Sequence, residues 1–208
     1  MRVAFFGGTF DPIHRGHLAI ASAAANAFAL DRVLFAPVGR QPLKSEGVIA
    51  SFSDRLAMTT LGIAFADEPH FTVSSVDAPR SDGTPNYTVD TLEALAREYP
   101  DAALFAVTGS DSFLTLCKWR SASRLLALSE WIVVSRPEFP LTPAFLDLPE
   151  FAPLALSPAQ RERIHLLAGV HEEVSATDLR RRLATGDPCT GLLAPGVVSY
   201  IQSHHLYR

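Results

Sequence analysis

Gly7-Gly8-Thr9-Phe10-Asp11-Pro12-Ile13-His14-Arg15-Gly16-His17 follows directly on the short apolar run Arg2-Val3-Ala4-Phe5-Phe6 and leads into an alanine-rich segment. Leu18, Ala21, Ala25 and Phe28 recur there at helical spacing, so the stretch is a strand-to-helix turn near the N-terminus. Such turns bind phosphate in α/β proteins. The glycines let backbone N–H groups approach an anion, and the free N–H groups and positive dipole end of the following helix favour negative charge. His14 and His17, three apart near that helix start, project toward the same ligand. Each imidazole can donate a hydrogen bond to a phosphoryl oxygen, and a nearby phosphate favours its charged form near pH 7.

Outward from this turn, Val33-Leu34-Phe35-Ala36 is a second unbroken apolar run, which completes a β-α-β unit of the kind buried on both faces. A turn-rich loop covers 37–51, Ser53 is placed to cap the helix carrying Leu56, Thr60 and Ile63, and a third strand is expected over His70 to Val76. Ala78 to Asn86 reads as a polar loop before a helix that ends at Tyr99-Pro100. Leu104 to Val107 and Trp131 to Val134 are further strands, joined by Thr108-Gly109-Ser110-Asp111 and a helix expected to continue to about Leu128. The stretch from Pro137 to Leu156 has no clean period. Beyond it come a capping box at Ser157 and Gln160, a last strand over Ile164 to Leu167, and helices opened by Ser175 and Pro195. The alternation predicts an α/β fold, a Rossmann-like doubly wound parallel sheet with ligands at the carboxyl ends of its strands. Residues 1–208 are expected to form a single domain, with 175–208 as its helical C-terminal part.

Composition narrows the function classes. A net charge of −4 argues against a general nucleic-acid surface, although basic clusters at 40–44 and 180–182 suit small anions. Two cysteines, Cys117 and Cys189, without metal-ligand spacing suit a reducing cytoplasmic compartment. No run approaches membrane-spanning length, and the N-terminal apolar run is too short for a signal peptide. The third glycine of a dinucleotide fingerprint is missing after Gly8, which counts against a nicotinamide-dependent dehydrogenase.

Gly8, Phe10, Pro12, His14, Gly16 and His17 together resemble the nucleotidylyltransferase signature Gly-x-Phe-x-Pro-x-His-x-Gly-His. Five further stretches narrow the resemblance to the bacterial nicotinate mononucleotide adenylyltransferases. Ser175-Ala176-Thr177-Asp178-Leu179-Arg180 is similar to the family's second ATP motif, where hydroxyls, helix N–H groups and a guanidinium hold phosphates. Pro42-Leu43-Lys44 resembles the loop that brings a lysine to the phosphates, with Leu43 where the family often has His. Tyr87-Thr88-Val89-Asp90-Thr91-Leu92 looks like the stretch whose helix start meets the pyridine carboxylate. Lys118-Trp119-Arg120 corresponds to the ring-stacking tryptophan, whereas Trp131 inside an apolar strand is read as core, and Gly109-Ser110-Asp111 resembles a ribose-binding Gly-Ala-Asp.

The resemblance implies transfer of the adenylyl group of ATP to nicotinate mononucleotide, with Mg²⁺ carried mainly on the ATP phosphates and no protein metal site. It implies catalytic roles for His14, His17, Lys44 and Arg180. ATP would be bound by Gly8, Thr9, Phe10, His14, Gly16, His17, Ser175, Thr177 and Arg180, and the mononucleotide by Lys44, Tyr87, Thr88, Asp111 and Trp119. Alternatives are adenylyl transfer to nicotinamide mononucleotide or phosphopantetheine, or a nucleotide sensor without turnover. A homo-oligomer is left open.

Overall fold

Six strands make the scaffold of the computed structural model, which describes residues 1–42, 48–135, 141–170 and 174–208. They are β1 (Arg2–Gly8), β2 (Arg32–Pro37), β3 (Phe71–Val73), β4 (Ala103–Gly109), β5 (Glu130–Val134) and β6 (Ile164–Leu167). All neighbours are parallel, in the order β3-β2-β1-β4-β5-β6. The order reverses between β1 and β4, and in such sheets a crevice opens there at the strands' carboxyl ends. Register brings Gly8 opposite Pro37 and Phe6 opposite Val107, so the glycine turn leaves the sheet at that reversal.

Each face of the sheet carries its own apolar layer, as expected for strands with unbroken hydrophobic runs. On one face α1 (Arg15–Ala27) and α2 (Phe52–Ala66) pack Ala21, Ala24 and Met58 against Phe6, Phe35 and Phe105. After β6 the chain returns to that face through α7 (Ala176–Ala184) and α8 (Pro195–Ser203), which add Leu179, Val197 and Ile201. On the other face α3 (Thr88–Glu98) and α5 (Ala122–Leu128) pack Leu92, Leu95 and Leu125 against Phe5, Ala106 and Trp131. Trp131 is 1% exposed, so it belongs to the core as its strand context predicts.

Several local expectations are corrected. Ser51, not Ser53, caps α2, because its Oγ reaches the N–H of Asp54 at 3.2 Å while Ser53 already lies in the first turn. The third strand holds only the three residues of β3, beyond which Ser74 N still donates to Phe35 O before the chain turns away. The helix expected after β4 is broken into α4 (Ser110–Phe113), a 3₁₀ turn (Leu116–Lys118) and α5, with Ser121 in the left-handed region at the second break. The unperiodic stretch contains two 3₁₀ turns, Pro143–Asp147 and Pro149–Leu154, whose Phe145 and Phe151 pack on Phe113. The capping box at Ser157 and Gln160 forms as read, at the start of α6 (Pro158–Arg161).

Candidate active site

The histidine motif is held in shape by a backbone that few residues adopt. Phe10 lies at φ 48° with its ring fully buried between Phe6 and Phe35. A bulky residue in the left-handed region costs on the order of 1–3 kcal/mol, and packing of this ring holds it there. His14 caps α1 from an extended conformation, and its backbone N–H donates to His17 Nδ1 at 3.3 Å. The two imidazoles stack with centroids 3.7 Å apart, and the His17 ring meets Phe10 edge-on at 4.9 Å. Both histidines therefore share one orientation at the N-terminus of a helix of 13 residues, where the dipole adds positive potential.

Arg180 reaches this loop from α7. Its Nη1 donates to the carbonyl of Asp11 at 2.8 Å and its Nη2 to Thr177 Oγ1 at 3.2 Å. Ser175 caps α7 through the N–H of Asp178 at 3.1 Å, and Ser175 and Thr177 are exposed at that helix start. The two ATP motifs predicted from positions far apart in the chain are thus joined directly. Arg55, 2% exposed, was not expected: its Nη1 donates to Thr9 O at 2.7 Å and its Nε to Ala50 O at 3.3 Å. Burial draws its pKa down from the ordinary guanidinium value, opposed by Asp11. The signal was an arginine four residues before Thr59 on the stripe that buries Met58.

Across the Gly7-Gly8 turn lies a cavity of about 550 Å³, within the range of small-molecule sites. Gly7, Gly8, Tyr87, Thr88, Asp111 and Trp119 are among its walls, so the mononucleotide set, Lys44 apart, converges. His14, His17 and Arg180 are not among these walls; the His17 ring packs on Phe6 and Phe10, in the layer on the sheet's other face. Lys44 lies outside the described residues. Trp119 is fixed by its Nε1 donating to Thr115 Oγ1 at 3.1 Å and by an edge contact with Trp131 at 5.9 Å. Tyr87 occupies the N-cap position of α3 and no side chain caps that helix, whose first residues Tyr87 and Thr88 line the cavity.

Asp77 and Arg120 are among the wall residues that escaped the sequence reading. Asp77 is buried at the cavity edge, where Thr91 Oγ1 donates to its Oδ1 at 2.7 Å; burial pushes its carboxyl pKa up, against the hydrogen bonds from Thr91 and Asn86. Arg120 lies 4.7 Å over the Tyr87 ring and 3.8 Å from the Asp90 carboxylate, and only its place after Trp119 hinted at it. Among the described residues no three His, Cys, Asp or Glu side chains group to hold a metal, and no helix is long and apolar enough to cross a membrane.

The chain matches the family described as cytidylyltransferase-like over residues 5–182. A Streptomyces coelicolor protein named "Probable nicotinate-nucleotide adenylyltransferase" is 41% identical over 202 residues, covering 97% of this chain and 98% of the relative. A Roseiflexus protein of the same name is 43% identical over 206 residues, covering 99% and 98%. In fold, the Plasmodium falciparum nicotinic acid mononucleotide adenylyltransferase complexed with NaAD superposes with a TM-score of 0.75 at 18% identity, covering 99% of this chain and 97% of that one.

Proposed function

The chain belongs to the cytidylyltransferase-like family, among its nicotinate-nucleotide adenylyltransferases, and we infer that it transfers the adenylyl group of ATP to nicotinate mononucleotide, giving nicotinate adenine dinucleotide and pyrophosphate. The observation that carries this reading is the pairing of two half-sites on the two faces of the sheet. On one stand the stacked histidines and Arg180; on the other, the uncapped start of α3 and the Trp119 indole meet in one cavity. Helix N–H groups without a side-chain cap suit a carboxylate better than a neutral amide, and a flat indole suits a pyridine ring.

The mononucleotide phosphate is already an anion, so one of its oxygens attacks the α-phosphorus in line. The new P–O bond forms as the bond to the β-phosphate oxygen breaks, and pyrophosphate leaves with the electron pair. Neither a protein base nor a covalent intermediate is needed, and catalysis is positioning plus charge stabilisation. His14, His17, Arg180 and Lys44 hold the triphosphate and meet charge developing on the departing pyrophosphate, with Gly8, Thr9, Phe10, Gly16, Ser175 and Thr177 lining its path. Asp111 takes ribose hydroxyls, and Lys44 also serves the mononucleotide phosphate. Mg²⁺ would be held by phosphate oxygens, since the Asp11 carboxylate is occupied by protein donors, and when bound it supplies neutralisation of phosphate charge. The free thiols Cys117 and Cys189 support a cytoplasmic setting, and residues 175–208 act as the helical closing part of one 1–208 domain.

The test is pyrophosphate release from Mg²⁺-ATP with nicotinate mononucleotide, nicotinamide mononucleotide and phosphopantetheine offered separately. The expected result is the highest kcat/KM with the nicotinate form. Preference for the amide would remove the assignment of the carboxylate to the start of α3. Nucleotide binding without release for any acceptor would make this chain a sensor instead.

A further inference from the structure

The penultimate residue of the chain is buried beneath the phosphate motif. Tyr207 is 6% exposed, and its hydroxyl donates to Asp11 Oδ1 at 2.6 Å across 196 positions of sequence. Asp11 itself is 2% exposed and also accepts the N–H of Ile49 at 2.8 Å and of Ala50 at 3.2 Å. Its backbone carbonyl takes Arg180 Nη1, which stands 4.0 Å from the same carboxylate, and Arg55 holds the carbonyl of Thr9 two residues before it. One carboxylate thus faces two guanidinium groups, and its position decides how much of the Arg180 charge is turned toward the protein and how much is left for an anion.

We propose that Tyr207 is a positioning residue for the phosphate half-site, acting through Asp11 on Arg180 and on the backbone of residues 9–11. The hydroxyl fills one lone-pair direction of a buried carboxylate, so its removal leaves an acceptor short of a partner, which shifts toward the nearest cation. That cation is Arg180, the group assigned to ATP above, and the proposal rests on that assignment. Burial and the neighbouring carboxylate push the Tyr207 pKa up from its ordinary value, so the hydroxyl stays a donor throughout the neutral range.

The experiment compares Tyr207→Phe, which keeps the ring, with Ile201→Val, which thins the packing of α8 without touching Asp11. For Tyr207→Phe, kcat/KM for ATP should fall by about tenfold, the factor expected for one lost hydrogen bond to a charged group, with KM for the mononucleotide kept within about twofold. Ile201→Val should lower Tm while leaving both KM values unchanged. The proposal is overturned if Tyr207→Phe lowers Tm but keeps wild-type kinetics for ATP, if both KM values rise together, or if Ile201→Val reproduces the ATP defect. Asp11→Asn carries the same comparison should Tyr207→Phe not fold, with the ATP defect expected and unchanged ATP kinetics overturning the idea. Wild-type protein that releases no pyrophosphate would instead sink the adenylyl-transfer reading, so the two failures are told apart.

Discussion

His17 packs on the apolar layer of one face of the sheet and Trp119 on that of the other, and removing each separates two kinds of binding energy. The His17 donor is assigned to charge that grows only as pyrophosphate departs, so His17→Ala should cut kcat by about a hundredfold or more with the fold intact. A folded variant with near-normal turnover would remove that role. On the proposed reading Trp119 would meet the pyridine ring equally in ground and transition states, so Trp119→Ala should raise KM for the mononucleotide and leave ATP affinity unchanged. Equal loss of ATP affinity would make Trp119 a core residue only. Asp77 offers a test by pH. Its folded-state pKa lies above the unfolded value because of burial, so the folded protein holds the extra proton and loses stability as pH rises through that raised pKa. Asp77→Asn removes this penalty. Urea midpoints for both proteins should therefore diverge in favour of the variant from about pH 4 upward and run parallel once Asp77 is ionised in both states. Curves parallel throughout would mean that Asp77 titrates alike in folded and unfolded chains.

At the scale of elements, one wall of the cavity depends on the close approach of the loop after β2 to the loop before α3, with the Asn86 side chain bridging them. A Cβ built on Gly39, just past β2, would fall 2.5 Å from Pro79 N and 2.7 Å from Asn86 Oδ1. Backbone cannot swing aside as a side-chain tip can, so Gly39→Ala should cost about 1–3 kcal/mol, roughly 2–12 °C in Tm for a chain of this size. It should also raise the mononucleotide KM, because Asn86 ties this loop to α3 by accepting the N–H of Arg40 at 2.9 Å and donating to Ala78 O at 2.9 Å. An unchanged melting curve would show that the two loops move together freely. This junction also marks how far sequence could be read. The strands, the glycine turn and the Ser175 cap were legible because each is written in residues within a few positions of one another. The break of the α4–α5 region was not: Leu116 keeps helical spacing to Phe113 and neither Gly nor Pro lies between Ser110 and Leu128, and tertiary packing on Trp131 chose the 3₁₀ turn. Asp77, Arg55 and Tyr207 were illegible for the same kind of reason. A polar residue gains its role there from a partner many positions away, and only burial reveals the pairing.

For the whole molecule, the doubly wound sheet makes two half-sites into one thermodynamic unit. The phosphate half-site rests on the layer built by α1, α2, α7 and α8, and the mononucleotide cavity on the layer built by α3 and α5, with β1 and β4 shared by both. On the proposed reading, a dinucleotide product would span the reversal between those two strands. Its binding free energy should therefore appear in the unfolding of both layers at once. At about a hundredfold excess over Kd the stabilisation is about 2.7 kcal/mol, which corresponds to roughly 5–11 °C in Tm. Both tryptophans, Trp119 and Trp131, report on the α3 and α5 face, whereas far-UV circular dichroism reports on the helices of both faces. Melts followed by the two probes should coincide in the free protein and shift together with nicotinate adenine dinucleotide. A shift confined to the fluorescence transition would mean that the layers unfold separately and that the ligand is held by the cavity alone, which would break the link between the histidine turn and the dinucleotide on which the assignment of its phosphate contacts depends.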